Sequence, residues 1–357
     1  MSVYRRSIQV AALITALALL FAFSACSPKT QNVALVGAGA TFPNPIYQKW
    51  VSDYQKLHPD VKIDYQSIGS GGGIKQIKEQ TVDFGASDAP MKDEDLKSAP
   101  AELLHIPTVL GAVVVTYNLS GVNQPLRFSP DVIADIFLGK IKKWNDPKIV
   151  ADNPGVTLPA ADITVVHRSE SSGTSAVFTD YLSKVSPEWK EKVGSGVQPS
   201  WPVGLGGKGN EGVTGQVKST PNTIAYVELA YAVNNKLPVG LIKNQAGAFI
   251  APSLESVTAA AAESIATTPE DLRVSITNAA GKDAYPISSY TYILVYKQQK
   301  DPSKGKALVD FVWWGIHDGQ AVTKDPTYPY APLPQEIVKR AENKLNSVTS
   351  GGKPIHS

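Results

Sequence analysis

Strand-like and helix-like patterns alternate along most of this chain, and the alternation limits the folds that are open to it. Apolar side chains recur at helical spacing from residue 45 to 57, and a strand pattern follows at 61–65. Strongly β-prone runs at 109–117 and 291–296 repeat the strand pattern, and helical spacing returns at 335–345. Such alternation predicts an α/β fold.

The length and charge of the chain exclude some classes of protein. With 357 residues the chain exceeds what a single hydrophobic core usually supports, so we expect two domains. The formal charge is +2, and Arg5 and Arg6 account for both excess positive charges. The rest of the chain is close to neutral, which argues against a nucleic-acid partner.

The N-terminus has the pattern of an export signal. A positively charged start precedes an uncharged apolar run at residues 10–23, and small residues then lead to Cys26, the only cysteine. This ending resembles the processing site of bacterial lipoproteins, which implies that residues 1–25 are a signal peptide and that the Cys26 thiol is lipidated. Residues 26–34 would form a tether. An ordinary secretory signal with an incidental cysteine is the alternative, and a single cysteine excludes an internal disulfide and a thiolate-rich metal site.

The segment from His167 to Ser175 joins a predicted strand to a predicted helix. The strand pattern ends close to Arg168, and helical spacing begins after a glycine and several hydroxyl residues. A helix N-terminus offers free N–H groups and a positive dipole end, and the Arg168 guanidinium group matches the geometry of an oxyanion. The segment therefore predicts either an anion site or an ordinary capped helix beside a surface arginine.

Three other segments have the same strand-to-turn-to-helix character. They carry Thr41, which is also a candidate helix cap, Ser70 and Asp88. Taken singly, each is typical of a plain turn between a strand and a helix. A further glycine-rich stretch, residues 204–210, is predicted to be a loop, since its glycine spacing is not that of a nucleotide-binding loop.

Taken together, the four segments favour one kind of anion. Arg168 supplies charge, whereas an ionised Asp88 can only accept hydrogen bonds. Phosphate keeps a proton near neutral pH and can donate it to that carboxylate, whereas sulfate cannot. A site built around such a bond rejects an analogue that lacks it by roughly 10⁴–10⁵-fold, because a buried acceptor stays unpaired. Hydroxyl donors would come from Thr41, Ser70, Ser172 and Thr174.

Six motifs are spread over the chain after the export signal. They are Gly-Ala-Gly-Ala-Thr-Phe-Pro at 37–43, Ile-Gly-Ser at 68–70, Val-Asp-Phe-Gly-Ala-Ser-Asp-Ala-Pro at 82–90, Leu-Gly-Lys-Ile at 138–141, Ser-Gly-Thr-Ser at 172–175 and Trp-Pro-Val-Gly-Leu-Gly-Gly-Lys-Gly-Asn at 201–210. In this order they resemble the motifs of the substrate-binding proteins of bacterial phosphate ABC transporters. The resemblance covers essentially all of the mature sequence.

The resemblance implies a set of phosphate ligands but no metal and no cofactor. The family often has Asp where this chain has Glu170, and that acid pairs with the binding arginine. Glu170 is therefore expected to support Arg168, or else to be a first-turn acid that the helix dipole favours. The implied ligands are Thr41, Phe42 through its backbone N–H, Ser70, Asp88, Arg168, Ser172, Gly173 through its backbone, and Thr174.

The resemblance also implies a two-lobed periplasmic binding protein fold of class II. Each lobe would be a mixed sheet flanked by helices, and two crossing segments would form a hinge. Lobe I would comprise residues 35–108 and 286–357, and lobe II residues 109–285. Phosphate would bind between the lobes and select their closed state. The implied protein is a monomer, exported to the periplasm or cell surface and anchored to a bacterial membrane by its lipid, which delivers phosphate to the transporter's permease subunits.

Two other functions stay open from the residues alone, although we expect a binding protein and not an enzyme. A secreted phosphatase would need clustered metal ligands or an activated serine, but the histidines are scattered and Ser172 is not in a nucleophile elbow. His167, beside Arg168, is interpreted as a strand-end residue in preference to a general base. A receptor for another tetrahedral oxyanion, such as sulfate or molybdate, is disfavoured by Asp88.

Overall fold

The structure is a computed structural model that describes residues 32–122 and 124–355. The predicted signal peptide and Cys26 lie outside the described residues. The predicted tether is two residues too long, because the first strand begins at Val33, and Val33 and Ala34 pair with Val61 and Lys62. No helix within the described ranges is long and apolar enough to cross a membrane.

Strands and helices alternate as the sequence predicts. The strands of the described ranges are β1 Val33–Gly39, β2 Val61–Ser67, β3 Phe84–Ser87, β4 Leu103–Asn118, β5 Arg127–Phe128, β6 Thr164–Arg168, β7 Leu205–Gly207, β8 Thr223–Glu228, β9 Leu241–Lys243, β10 Phe249–Ile250, β11 Ser288–Tyr296, β12 Gln298–Gln299, β13 Thr349–Ser350 and β14 Lys353–Pro354. The α-helices are α1 Asn44–Leu57, α2 Ser70–Lys78, α3 Asp93–Lys97, α4 Pro130–Phe137, α5 Pro147–Asp152, α6 Gly173–Val185, α7 Pro187–Lys192, α8 Gly209–Ser219, α9 Leu229–Asn234, α10 Leu254–Ser264, α11 Pro302–Ile316 and α12 Gln335–Asn346. Short 3₁₀ turns lie at Ile265–Thr267 and Asp318–Lys324.

Eight strands form one mixed sheet in the order β2-β1-β3-β11-β4-β8-β6-β7. β1 pairs in parallel with β2 and β3, whereas β11 is antiparallel to β3 and β4. The long strand β4 joins two parts of the sheet, since residues 103–112 pair with β11 and residues 113–118 pair with β8. We call β2, β1, β3, β11 and the beginning of β4 the first sheet half. The end of β4 with β8, β6 and β7 is the second sheet half.

The chain crosses between the sheet halves at two neighbouring places. One crossing lies within β4, and the other lies just before β11. Val113 ties them together, because its N–H donates to the Ile287 carbonyl at 2.8 Å and its carbonyl accepts from the Tyr285 hydroxyl at 3.1 Å. Adjacent crossings of this kind can act as a hinge.

Aromatic side chains fix the helices against each sheet half. In the first half, Tyr54 of α1 lies with its ring centroid 5.2 Å from that of Phe311 in α11. In the second half, the ring of Phe178 in α6 stacks on Tyr226 of β8, with a centroid separation of 4.4 Å. Such ring pairs add to the free energy gained from burial of their large apolar area. The packing of Phe178 holds the N-terminus of α6 against the sheet beside Arg168.

Candidate functional site

The predicted site residues lie where elements of the two sheet halves end or begin. In the first half Thr41 follows β1, Ser70 begins α2 and Asp88 follows β3. In the second half Arg168 ends β6 and Gly173 begins α6. The polar side chains among them are each at most 2% exposed, namely those of Thr41, Ser70, Asp88, Arg168, Ser172 and Thr174. Buried polar groups are costly unless they are paired, so the arrangement indicates a binding function.

Arg168 is held by contacts on both its backbone and its side chain. Its N–H donates to the Tyr226 hydroxyl at 3.1 Å. Its Nη1 donates to Thr174 Oγ1 at 3.0 Å, and its Nε donates to Glu170 Oε1 at 2.9 Å. Nη2 also pairs with Glu170 Oε1, so the two side chains form a forked ion pair. The sequence left the pairing of Glu170 open, and the structure shows that the longer side chain reaches the guanidinium group.

The ion pair keeps Glu170 ionised despite its partial burial. Burial alone would raise the pKa of this carboxyl, but the Arg168 charge and hydrogen bonds and a hydrogen bond from the Gly209 N–H lower it. The Gly209 N–H lies 3.2 Å from both Glu170 oxygens. Glu170 therefore offsets the charge of Arg168 while it fixes the guanidinium plane.

The N-terminus of α6 turns free N–H groups toward the site. Ser172 is its N-cap, because the Ser172 side chain accepts from the Ser175 N–H at 3.1 Å. The helix itself offers no acceptor to the N–H groups of Gly173 and Thr174. These two donors and the helix dipole favour an anion at this position.

Asp88 is surrounded by donors from distant parts of the chain. Thr291 Oγ1 donates to Asp88 Oδ1 at 2.9 Å, and Ser70 Oγ lies 3.4 Å from Oδ2. The Asp88 N–H donates to Ser70 Oγ at 3.2 Å. Because the carboxyl is fixed at both oxygens, its direction toward the site is set before any ligand arrives.

Burial raises the pKa of Asp88 from its ordinary value to about 7. The hydrogen bonds from Thr291 and Ser70 and the charge of Arg168 oppose this rise without cancelling it. A carboxyl with a pKa near neutrality exchanges a proton readily with a partner of similar pKa. Asp88 is thus suited to an anion that itself carries a proton near neutral pH.

Gly173 lies at a point of close approach between the two sheet halves. A Cβ atom placed on Gly173 would lie 2.5 Å from Asp88 Oδ2 and closer still to Ser70 Oγ. A second contact lies beside it, where the Gly71 N–H donates to the Ser171 carbonyl at 3.0 Å. Only glycine leaves room for the start of α6 against Asp88.

Thr41 and Phe42 lie in the site, but Thr41 is not a helix cap. The N-cap of α1 is Pro43 and makes no side-chain cap hydrogen bond. The Thr41 hydroxyl accepts from the Asn210 side-chain amide at 2.8 Å instead. Phe42 is fully buried, and its carbonyl accepts from the Tyr330 hydroxyl at 2.7 Å. This hydrogen bond fixes the backbone at Phe42, whose N–H is a proposed ligand.

Sequence reasoning missed several residues that shape the site, of which Asn210 is the most connected. Residues 204–210 are not a loop, because β7 pairs in parallel with β6 and α8 begins at Gly209. The stretch is thus a fifth strand-to-helix turn, and its one signal was the glycine-rich composition. Tyr226 and Thr291, which hold Arg168 and Asp88, had no local signal.

His167, next to Arg168, has the contacts of a packing residue. The His167 ring stacks on Trp201 with a centroid separation of 4.9 Å, and its Nδ1 lies 2.9 Å from the Arg168 carbonyl. Successive side chains of a strand face opposite sides, so His167 does not share the side of Arg168. Within the described ranges, no three or more His, Cys, Asp or Glu side chains are grouped so that they could hold a metal ion.

Solved structures with the same fold are two-lobed binding proteins. One is a high-affinity periplasmic phosphate-binding protein, PfluDING, bound with phosphate (TM-score 0.66, 20% identity, 87% of this chain and 92% of that chain). Another, from Clostridium perfringens, is described as a candidate phosphate ABC transporter substrate-binding protein with bound phosphate (TM-score 0.61, 18% identity, 84% and 100%). The predicted two-lobed periplasmic binding protein fold is therefore confirmed, and it defines the class of this chain.

Similar sequences place the chain within that class. A family model for the PBP superfamily domain matches residues 27–314. The phosphate-binding protein PstS of Xylella fastidiosa strain 9a5c is 46% identical over 315 residues, which are 88% of this chain and 85% of that protein. The PstS protein of Pasteurella multocida is 45% identical over 343 residues, 95% of this chain and 98% of that protein. The chain belongs to the PBP superfamily and, within it, to the PstS phosphate-binding proteins.

Proposed function

We propose that this chain binds inorganic phosphate as the substrate-binding component of a phosphate ABC transporter. The observation that supports this proposal most strongly is that Arg168 and Asp88, from opposite sheet halves, are both buried at the N-terminus of α6. The cation attracts the anion, and the carboxyl selects one that still has a proton to donate. The PstS relatives and the phosphate-bound structures of the same fold support this proposal.

Each proposed ligand contact has a chemical role. The hydroxyls of Thr41, Ser70, Ser172 and Thr174 donate to phosphate oxygens, as do the backbone N–H groups of Phe42 and Gly173. Arg168 donates two charged N–H groups, and Asp88 accepts the phosphate proton. Glu170 keeps the Arg168 fork in place. In a dry, preorganised site these bonds replace the hydration shell of the anion.

The two lobes of the proposed mechanism correspond to the sheet halves. Lobe I is predicted to comprise residues 35–108 and 286–357, and lobe II residues 109–285. The first sheet half is slightly larger than this lobe I, since β1 begins at Val33 and β4 pairs with β11 up to Ala112. Thr41, Ser70 and Asp88 belong to lobe I, whereas Arg168 and α6 belong to lobe II. Because neither lobe holds a complete site, phosphate binds most tightly to the closed arrangement and favours it.

Titration calorimetry with phosphate tests the proposed function. The wild-type chain should bind phosphate with one site, and Arg168→Ala should weaken binding at least 100-fold, since a charged, buried donor is removed. Arg127→Ala is a suitable control, because the Arg127 guanidinium lies over the Phe249 ring, 5.6 Å from its centroid. Unchanged affinity of Arg168→Ala would remove Arg168 from the site.

We propose in addition that the chain is a binding protein without phosphatase activity. The relatives are described as binding proteins, and His167 packs on Trp201. Turnover of a model phosphate ester that is lost in His167→Ala would contradict the proposal.

We propose the cellular location of the protein from its N-terminal residues. A monomer anchored through a lipid on Cys26, outside the cytoplasm, would pass phosphate to the permease subunits. Mass spectrometry of the membrane fraction should find an N-terminal peptide that begins at a lipidated Cys26. An N-terminal peptide with an unmodified cysteine would contradict the anchor.

A further inference from the structure

Asn210 connects the two sheet halves without being one of the proposed phosphate ligands. Its Nδ2 donates to Thr41 Oγ1 at 2.8 Å and lies 3.2 Å from Thr174 Oγ1. Its Oδ1 accepts from the Glu228 N–H at 2.9 Å, which fixes the amide orientation. Thr41 belongs to the first sheet half, and Thr174 and Glu228 belong to the second. The fully buried amide therefore makes bonds to both halves at once.

Tyr231, in α9, makes a second connection to Thr41. Its hydroxyl lies 2.6 Å from the Thr41 carbonyl and 2.9 Å from Glu211 Oε1. Glu211, in the first turn of α8, also lies within reach of Asn44 and Ser67 of the first half, at the longer distances of 3.4 and 3.5 Å. These longer contacts involve an exposed carboxylate and are weaker than those of Tyr231 and Asn210.

We infer that Asn210 and Tyr231, assisted by Glu211, form a latch that holds the two sheet halves together and sets the rate of phosphate release. The inference rests on the proposed function, because it assigns the latch to the closed, phosphate-bound state. Both latch residues are positioning residues, since they act through Thr41 and Thr174 and not on the anion.

The latch has a kinetic signature that distinguishes it from a general support of the fold. Its two bonds to Thr41 exist only when the halves are together, so their loss favours opening but leaves the encounter of phosphate with the open site unchanged. Release should therefore become faster while association keeps its rate. A variant that merely weakens the fold lowers the melting temperature instead.

The chain offers a matched control for each latch variant. Tyr231→Phe is compared with Tyr296→Phe, since Tyr296 is 9% exposed against 7% for Tyr231 and donates to the Ile77 carbonyl at 2.7 Å within the first half. Asn210→Ala is compared with Asn153→Ala, because the buried Asn153 amide bonds to the Arg127 and Ile149 carbonyls within the second-half region. Each control removes similar bonds that do not join the halves.

Rates measured with radiolabelled inorganic phosphate and an unlabelled chase test the latch. Tyr231→Phe and Asn210→Ala should each release phosphate about tenfold faster, as expected for the loss of one buried hydrogen bond. Their association rates and those of both controls should match the wild type. Release at the wild-type rate, or an equal acceleration in the controls, would overturn the latch.

Failure of the proposed function would show itself separately, as a wild-type chain that binds no phosphate. A wild type that binds phosphate but whose latch variants release it at the wild-type rate would overturn the latch alone. A wild type that binds none would overturn the latch together with the proposed function.

Discussion

Arg168 and Asp88 have different roles in the site, and only Asp88 determines which anion binds. Arg168 attracts negative charge, but Glu170 neutralises it locally through the forked ion pair. Binding therefore depends on directed donors more than on net charge. Once ionised, Asp88 works against any anion that has no proton, because its buried carboxylate would face a second negative charge.

The raised pKa of Asp88 predicts how the stability of the phosphate-free protein changes with pH. The folded pKa is about 7, above the ordinary value of 3.8, so the folded chain holds a proton that the unfolded chain has released. The stabilisation is complete below the unfolded pKa and is lost as the pH rises to about 7. Relative to a variant that lacks this carboxyl, the wild type should lose a few kcal/mol of unfolding free energy over this window.

Denaturant unfolding from pH 4 to pH 8 checks this prediction. The difference between the wild type and Asp88→Asn isolates this carboxyl, and Asp131→Asn, which removes an exposed acid on α4, should follow the wild type. Glu170 has the opposite sign, since its lowered pKa contributes stability that is lost only as the pH falls below its usual range. Burial also lowers the pKa of His105 to about 3 and raises that of Glu228, so both groups contribute to the wild-type profile. A difference between the wild type and Asp88→Asn that stays constant from pH 4 to pH 8 would contradict the role of Asp88.

At the scale of elements, the strand-to-helix turns explain how far local sequence can predict the site. Ser172 caps α6 as its hydroxyl and position predict, and Ser70 begins α2. The turn that carries Asn210 escaped prediction because β7 has only three residues at a sheet edge, two of them glycine. A strand this short shows no recognisable alternation of apolar and polar residues. It forms because it pairs with β6.

The close approach at the start of α6 predicts a strong effect of a small substitution. In Gly173→Ala the added methyl group would meet Asp88 and Ser70, so α6 could not approach the first half. Phosphate affinity should fall about 10- to 100-fold, in line with the usual cost of overpacking. Calorimetry measures the affinity, and the melting temperature without phosphate reports the fold.

Gly215→Ala is the matched control for that experiment. Gly215 also lies in a helix, and a Cβ atom there would meet nothing within 4 Å. This variant should bind phosphate as the wild type does and be slightly more stable, because alanine favours a helix over glycine. Wild-type affinity in Gly173→Ala would mean that the halves do not close as described.

At the scale of the whole molecule, the fold class that the sequence predicted is confirmed, and the ligand positions stay a prediction. The side chains that hold the proposed ligands in place were not predicted. Those predictions depended on the motifs and on their resemblance to a known family. The partners come from far away, since Thr291 lies 203 positions from Asp88 and Tyr330 lies 288 positions from Phe42. The Thr291 contact arises from the sheet order, in which β11 is inserted between β3 and β4.

A site divided between two sheet halves predicts a change of shape on binding. Phosphate should reduce the radius of gyration of the wild-type chain in solution scattering, because it favours the arrangement in which both halves contact it. Arg168→Ala should show no reduction at the same phosphate concentration. A radius that phosphate leaves unchanged in a chain that binds it would contradict closure.

The central claim is that Asp88 selects phosphate by accepting its proton. Titration calorimetry with phosphate and sulfate at a pH of about 8.5, above the Asp88 pKa of about 7, tests it most directly. The wild type should prefer phosphate by roughly 10⁴-fold or more, as expected when a buried acceptor is left unpaired by the wrong ligand. Asp88→Asn removes the negative charge and offers a donor, so it should lose most of that preference while Asp131→Asn keeps it. An unchanged preference in Asp88→Asn would contradict the account.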